Sequence, residues 1–214
     1  MSSKSTRFAG ALAALALVLV PAAIAAEKYQ VKFNAADQAA AKAITLQRSD
    51  LGAGWRGGPS KPDLTPDEDC STKKADLVVT GAAKSEFQSE GVLVSSESNV
   101  LETAAMARAD LQRTAGSASW WACGKRAIAK EKEMKLVSFG KVAFPRLGQY
   151  SARYRIVIDY GTAGSSVRLV MDIVVVAKGR SEVALVLTAP YVSRAAVDSA
   201  GRRLAGLLVG RIRA

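Results

Sequence analysis

The sequence predicts an α+β fold: a largely antiparallel sheet of about six strands with helices on both faces, an α/β/α sandwich. Three observations carry this. Residues 150–160 and 167–177 alternate apolar with polar side chains and are joined by Gly161-Thr162-Ala163-Gly164, which reads as a hairpin. Beyond Asp172 both faces of the second strand turn apolar through Val174 and Val176, and residues 182–188 are apolar on both faces, so the sheet is covered on both sides. Finally, Val197, Ala200, Leu204, Leu207, Leu208 and Ile212 recur at helical spacing and form a stripe that must be buried against the sheet.

The elements follow in order. Lys4 and Arg7 precede an apolar run at 8–20, Pro21 breaks it, and Ala23-Ile24-Ala25 fits a signal-peptidase site. Residues 1–25 are therefore expected to be a signal peptide and 26–214 one exported domain. The run is shorter than the roughly 20 residues of a permanent span, so a retained anchor is the weaker alternative. After a lead-in at 26–33, Asn34 caps a helix over 35–47, with Ala36, Ala40, Ala43, Ile44 and Gln47 on one face. Residues 56–69 hold Gly57, Gly58, Pro59, Pro62 and Pro66 and read as a surface loop. Strands at 83–87 and 91–101 turn through Gln88-Ser89-Glu90-Gly91, with Val92, Val94 and Val100 sharing a face with Ser96 and Ser98. Thr103 caps a helix to about 113, buried through Ala104, Ala107 and Leu111. Residues 117–130 form a basic amphipathic helix carrying Trp120, Trp121, Cys123 and Ile128. A strand over 134–144 opens the final meander, Lys178-Gly179-Arg180 turns into the last strand, and Pro190 ends it. Ser193 caps the terminal helix, which keeps Arg194, Arg202, Arg203, Arg211 and Arg213 largely off its apolar stripe.

The chain has no histidine. That excludes Ser-His-Asp and Cys-His groupings and His-ligated zinc, and it removes the commonest general base near neutral pH. Asp63, Asp67, Glu68 and Asp69 cluster, but in a Pro-rich loop that offers neither the fixed separation nor the apolar setting of acid–base carboxylates. Ser71 with Lys73 or Lys74, and Ser85 with Lys84, are neighbours in sequence only, and no GxSxG occurs. A histidine-independent hydrolase is thus the third-ranked function. Gly52, Gly54 and Gly57 spell GxGxxG, but after a helix and before a Pro-rich loop, the wrong context for a phosphate cradle. No catalytic residue, metal or cofactor is predicted. The two cysteines, Cys70 and Cys123, read as one disulfide in an exported chain. The formal net charge of +11 fits solubility or attraction to anionic wall polymers and lipid surfaces; without a Lys/Arg run of five, no nucleic-acid partner is expected. Adjacent tryptophans on a helix point about 100° apart, so one of Trp120 and Trp121 is expected in the core and the other partly exposed. Trp55, Trp120, Arg153 and Arg155 are the candidate ligand-facing residues.

One arrangement is also familiar as a whole. A helix leads to Asp50-Leu51-Gly52-Ala53-Gly54-Trp55 and Cys70, then to the strand Val94-Ser95-Ser96-Glu97, an Ala-rich helix and Cys123. Leu147-Gly148 in a meander and an Arg-rich terminal helix complete it. This resembles secreted actinobacterial proteins related to the extracellular sensor domain of the PknH kinase, which is similar in architecture to Mog1/PsbP-like α/β/α domains. The resemblance covers about residues 40–213. It implies a helix-flanked antiparallel sheet, a cleft for a ligand and no catalysis; the kinase-linked members have two disulfides where this chain has cysteines for one. The expectation is a secreted, monomeric, non-enzymatic binding or sensor-like module for a small molecule or cell-envelope component. The alternative is a structural or interaction protein adhering to the anionic cell surface.

Overall fold

The computed structural model describes residues 30–62, 64, 76–162 and 165–213. The export signal, Cys70, the acidic cluster from Asp63 to Asp69, the Ser71 grouping with Lys73 and Lys74, and Ala163-Gly164 lie outside them. The elements are β1 (Gln30–Val31), α1 (Ala35–Ile44), β2 (Arg56–Ser60), β3 (Val78–Ser89), β4 (Val92–Leu101), α2 (Ala104–Arg113), α3 (Ala118–Lys130), β5 (Met134–Val142), β6 (Tyr150–Thr162), β7 (Ser165–Lys178), β8 (Ser181–Pro190) and α4 (Arg194–Arg211).

The α+β class holds, but the sheet has eight strands rather than six, in the order β1-β3-β4-β8-β7-β6-β5 with β2 also on β3. The two added strands share the outer edge of β3. β1 lies parallel to it at Gln30–Val78 and Val31–Val79. β2 lies antiparallel from Arg56–Gln88 to Ser60–Lys84, where a loop was expected. An edge position is what lets a Gly-Gly-Pro segment join a sheet. Gly57 is required there: its φ is 122°, and a Cβ would stand 2.1 Å from the Glu86 carbonyl oxygen. The β3–β4 hairpin closes over Glu90-Gly91, both at positive φ, in register Ser89–Val92.

Alternate residues of each strand serve opposite layers. On one face α2 and α3 bring Leu111, Trp120, Trp121 and Ile128 onto Tyr154, Ile156, Ile158, Met171, Ile173 and Val186. On the other, α4 brings Val197, Leu204 and Leu208 onto Val170, Val174, Leu185 and Leu187.

The helix caps follow the sequence at two ends. The Asn34 side chain accepts from the Asp37 N–H and that of Thr103 from the Met106 N–H. Ser193 makes no such bond. The buried stripes are rotated from those expected. α1 turns Asp37, Ala41 and Ile44 inward and leaves Ala36, Ala40 and Ala43 exposed. The cause is the surface beneath it. Ser98 Oγ donates to the Ala41 carbonyl at 2.8 Å, Ser96 Oγ accepts from the Leu46 N–H at 2.8 Å, and a Cβ on Gly81 would lie 2.2 Å from the Asp37 oxygen. Only small groups allow that approach. α2 buries Asp110 while Ala104 is exposed, and α4 buries Gly201 and Ala205 while Leu207 is 37% exposed.

Candidate functional site

The rotation of α1 leaves its alanine flank lining an open concavity. Its exposed flank, the end of α4 and the β7–β8 turn enclose an open groove of about 560 Å³. Ala36, Ala40, Ala43, Val100 and Ile212 form its apolar wall; Arg180, Arg211 and Arg213 are its cations. Each arginine arrives by a separate local device. The two-residue turn after Lys178, with Gly179 at φ 61°, presents Arg180. The last turn of α4 presents Arg211, and the extended Ile212 cap carries the chain on to Arg213.

Two of these guanidinium groups are fixed. Arg180 holds Asp37 through Nη2 at 2.8 Å and Nη1 at 3.2 Å, and Nη1 also donates to the Leu101 carbonyl at 3.1 Å. This pairing, led by the hydrogen bond from Arg180, draws the Asp37 carboxyl down to about 2 despite its burial. Arg211 holds Asp50 at 2.9 and 2.5 Å. Burial pushes the Asp50 carboxyl upward, but the bonds from Arg211 and the Gln47 N–H outweigh it and leave the group below its ordinary value. Arg213 is exposed and makes no ion pair among the described residues. The volume falls within the ~300–1,000 Å³ of small-molecule sites. The chemistry on offer is charge-assisted hydrogen bonding beside the alanine methyls of α1. A second hollow of about 400 Å³ lies at the β3–β4 hairpin, against Arg56, Gln88 and Leu93.

The four predicted ligand-facing residues do not share a site. Arg153 and Arg155 are seated under α4. Arg153 Nη2 meets Asp172 at 2.7 Å and also pairs with Asp198; Arg155 holds Asp172 at 2.7 and 2.8 Å and pairs with Asp198 as well. Side-chain exposure is 2% for Arg153 and 0% for Asp172, so that pair is sealed, while Arg155 at 17% and Asp198 at 33% reach toward solvent. Its hydrogen bonds from Arg153 and Arg155 hold the Asp198 carboxyl far below the ordinary carboxylate range, and those to Asp172 raise Arg155. Alternation correctly set these arginines opposite the Tyr154 face, but it carried no sign that α4 covers them with an aspartate.

Trp55 is half-buried against the α4 layer, whereas Trp120 lies on the opposite face. The expectation that one of Trp120 and Trp121 is exposed is corrected: both are buried. Trp121 stacks on Tyr154 at 3.9 Å and donates to the Ala115 carbonyl, and Trp120 meets Trp121 edge-on at 4.4 Å. Ring against ring takes up the angle between them. Cys123 is buried on α3 and is not a free thiol; Cys70, its predicted partner, is outside the described residues.

Beneath α2 a polar seam interrupts the apolar layer. Lys84, Glu97, Asn99, Asp110 and Glu182 are all buried, with Lys84 Nζ 2.8 Å from Glu86 and Asn99 Nδ2 donating to Glu182. Among the described residues no group of three or more His, Cys, Asp or Glu has metal-holding geometry. Nor is any described helix long and apolar enough to cross a membrane.

These features define an α+β protein built on one open sheet with helices on both faces, whose candidate site is an arginine-bordered groove beside an alanine-rich helix. The chain matches no protein-family profile and no curated protein. Among solved structures it is similar to LpqN, a protein involved in cell envelope biogenesis of Mycobacterium tuberculosis. The two share 12% identity over 72% of this chain and 76% of that one, with a TM-score of 0.29.

Proposed function

We propose that the protein is an exported, non-enzymatic binding or sensor-like module that holds a small cell-envelope ligand in the groove between α1 and α4. One observation carries the reading: two arginines are fixed in advance by Asp37 and Asp50 at the border of an open groove whose α1 side is lined by alanines. Side chains already immobilised lose little further freedom when a ligand arrives, so their hydrogen bonds contribute more to affinity. Cleavage after Ala25, release from the cell and a Cys70–Cys123 disulfide belong to the same proposal, as does the likeness to kinase-linked sensor domains.

The test is thermal unfolding of the exported protein against fractionated envelope extract. A ligand at a hundredfold its Kd stabilises by about 2.7 kcal/mol, a rise of about 5–10 °C for a domain of this size. Ala40→Trp, which fills the groove from an exposed position, is expected to abolish that rise. An unchanged melting temperature across all fractions sinks the reading. Intact mass of the exported protein tests the rest: a mass starting at Ala26 and lacking two hydrogens is expected, and two alkylatable thiols remove the disulfide.

The second reading, adhesion to an anionic surface, is favoured by exposed Lys125, Arg126, Lys132, Lys135 and Lys141 on α3, the link after it and adjacent β5. It predicts retention on isolated cell wall that falls as salt is raised. Retention indifferent to salt rules it out.

A further inference from the structure

Building on that reading of the groove, we propose that its occupant is a single-chain lipid with an anionic head, the hydrocarbon lying along α1 and the head meeting Arg180 and Arg213. The wall is the first argument. Ala36, Ala40 and Ala43 recur about one turn apart on the exposed flank of α1, with the buried Val100 and Ile212 at the floor beneath them. None of these side chains can donate or accept a hydrogen bond. A sugar or peptide would lose water there without replacement, at a cost in affinity. An acyl chain loses only unfavourable hydration.

The second argument is charge complementarity. Three arginines border the groove, and the acids facing them, Asp37 and Asp50, balance two. Among the described residues Arg213 has no such counter-charge. A guanidinium presents five N–H donors; Asp37 takes one from each Nη and the Leu101 carbonyl takes a second from Nη1, so Arg180 keeps two with which to donate to a phosphate or carboxylate head. Arg180 is 44% exposed at its side chain, which leaves that donation open to a ligand. The groove thus separates a hydrocarbon strip from a cationic border, the division an anionic amphiphile has along its own length.

The experiment is calorimetric titration of the exported protein with dodecyl phosphate below its micelle concentration. Saturable one-to-one binding is expected, with dodecyl maltoside at least about tenfold weaker and inorganic phosphate alone giving no measurable heat. Ala40→Glu sets a charge in the middle of the hydrocarbon strip at an exposed helical position, and is expected to weaken dodecyl phosphate at least about tenfold with an unchanged melting temperature. Arg213→Glu is expected to weaken it about threefold at low salt and less at high salt, while Lys132→Glu, the same change of net charge elsewhere, leaves it unchanged. Equal binding of dodecyl phosphate and dodecyl maltoside, insensitivity to Ala40→Glu, or equal loss in Lys132→Glu overturns the lipid assignment. The failures separate cleanly. An envelope fraction that stabilises the wild type but not Ala40→Trp, alongside no binding of dodecyl phosphate, removes the lipid and keeps the groove; no response to either removes both.

Discussion

On the same face of the sheet, α4 rests on large aliphatic side chains, whereas α1 rests on glycine and serine. Val197, Leu204 and Leu208 of α4 pack with Val174, Leu185 and Leu187, and the Arg153–Asp172–Arg155–Asp198 network ties α4 to the sheet beside them. α1 has only Ala41 and Ile44 to bury; its attachment is the close approach over Gly81, two serine hydroxyls and the Asp37–Arg180 bridge. The difference has a functional consequence. A helix attached through bulky residues spends its apolar stripe on the sheet. A helix attached through small and polar groups keeps an apolar flank for something else, and in this molecule that flank is the groove wall.

The contrast can be broken most forcefully at the buried Arg153–Asp172 pair. Asp172→Ala leaves Arg153 buried and short of a partner, and is expected to cost about 3–5 kcal/mol by urea unfolding. Because such a variant can fail to fold at all, Arg153→Met with Asp172→Leu is the informative companion. It removes one charge of each sign, keeps Arg155 with Asp198, and is expected to recover most of the loss. A double variant as unstable as the single one would mean the network does more than neutralise itself.

Next in size is Leu208→Ala, where deletion of a fully buried side chain from the α4 seam is expected to cost about 3 kcal/mol. Gly81→Ala attacks the α1 seam instead. Its Cβ would sit 2.2 Å from the Asp37 oxygen, so the helix must move outward, at about 2 kcal/mol. Hydrogen exchange tells the two apart. Gly81→Ala should accelerate amides of α1 and leave those of α4 protected; uniform acceleration would show that the two seams open together.

What could be read from the sequence was local. The Asn34 and Thr103 caps need only three residues of context. The alternation along β6 and β7 needs only the period of a strand. The inward face of α1 was not legible, because it is chosen by Gly81, Ser96 and Ser98, some forty to sixty positions away. The alanine stripe at Ala36, Ala40 and Ala43 was visible, but its period alone does not say whether a face is buried or open. β2 was hidden for a different reason: Gly57, Gly58 and Pro59 carry the composition of a loop, and the free edge of β3 supplies the pairing. Of the groove's cations, Arg180 read as a turn residue, and Arg211 and Arg213 as the wet side of a helix. The signal that could have joined them was Asp37 and Asp50, acids in an otherwise basic neighbourhood, each needing a partner.

The finest test of the contrast is titration of the α1 bridge. The Asp37 carboxyl falls from 3.8 to about 2 in the folded protein, chiefly through its hydrogen bond from Arg180. A depressed carboxyl adds stability above its unfolded pKa and surrenders it as pH falls through the folded one. The window for Asp37 is therefore about pH 4 down to pH 2. Because Arg180 is 44% exposed at its side chain, solvent screens the pair, and about 1 kcal/mol is a realistic size. Asp198, paired with the buried Arg153 and drawn down further still, titrates below this window. Asp37→Asn isolates the α1 term: its deficit against the wild type in urea midpoint should be full at pH 6 and close to zero at pH 2. Added salt should shrink the pH 6 deficit, since the bridge is partly exposed, while leaving the cost of Asp172→Ala nearly intact. A deficit equal at both pH values would show that α1 is held by the Ser96 and Ser98 hydroxyls and Gly81 alone. The groove's Arg180 would then be fixed by the Leu101 carbonyl rather than by Asp37.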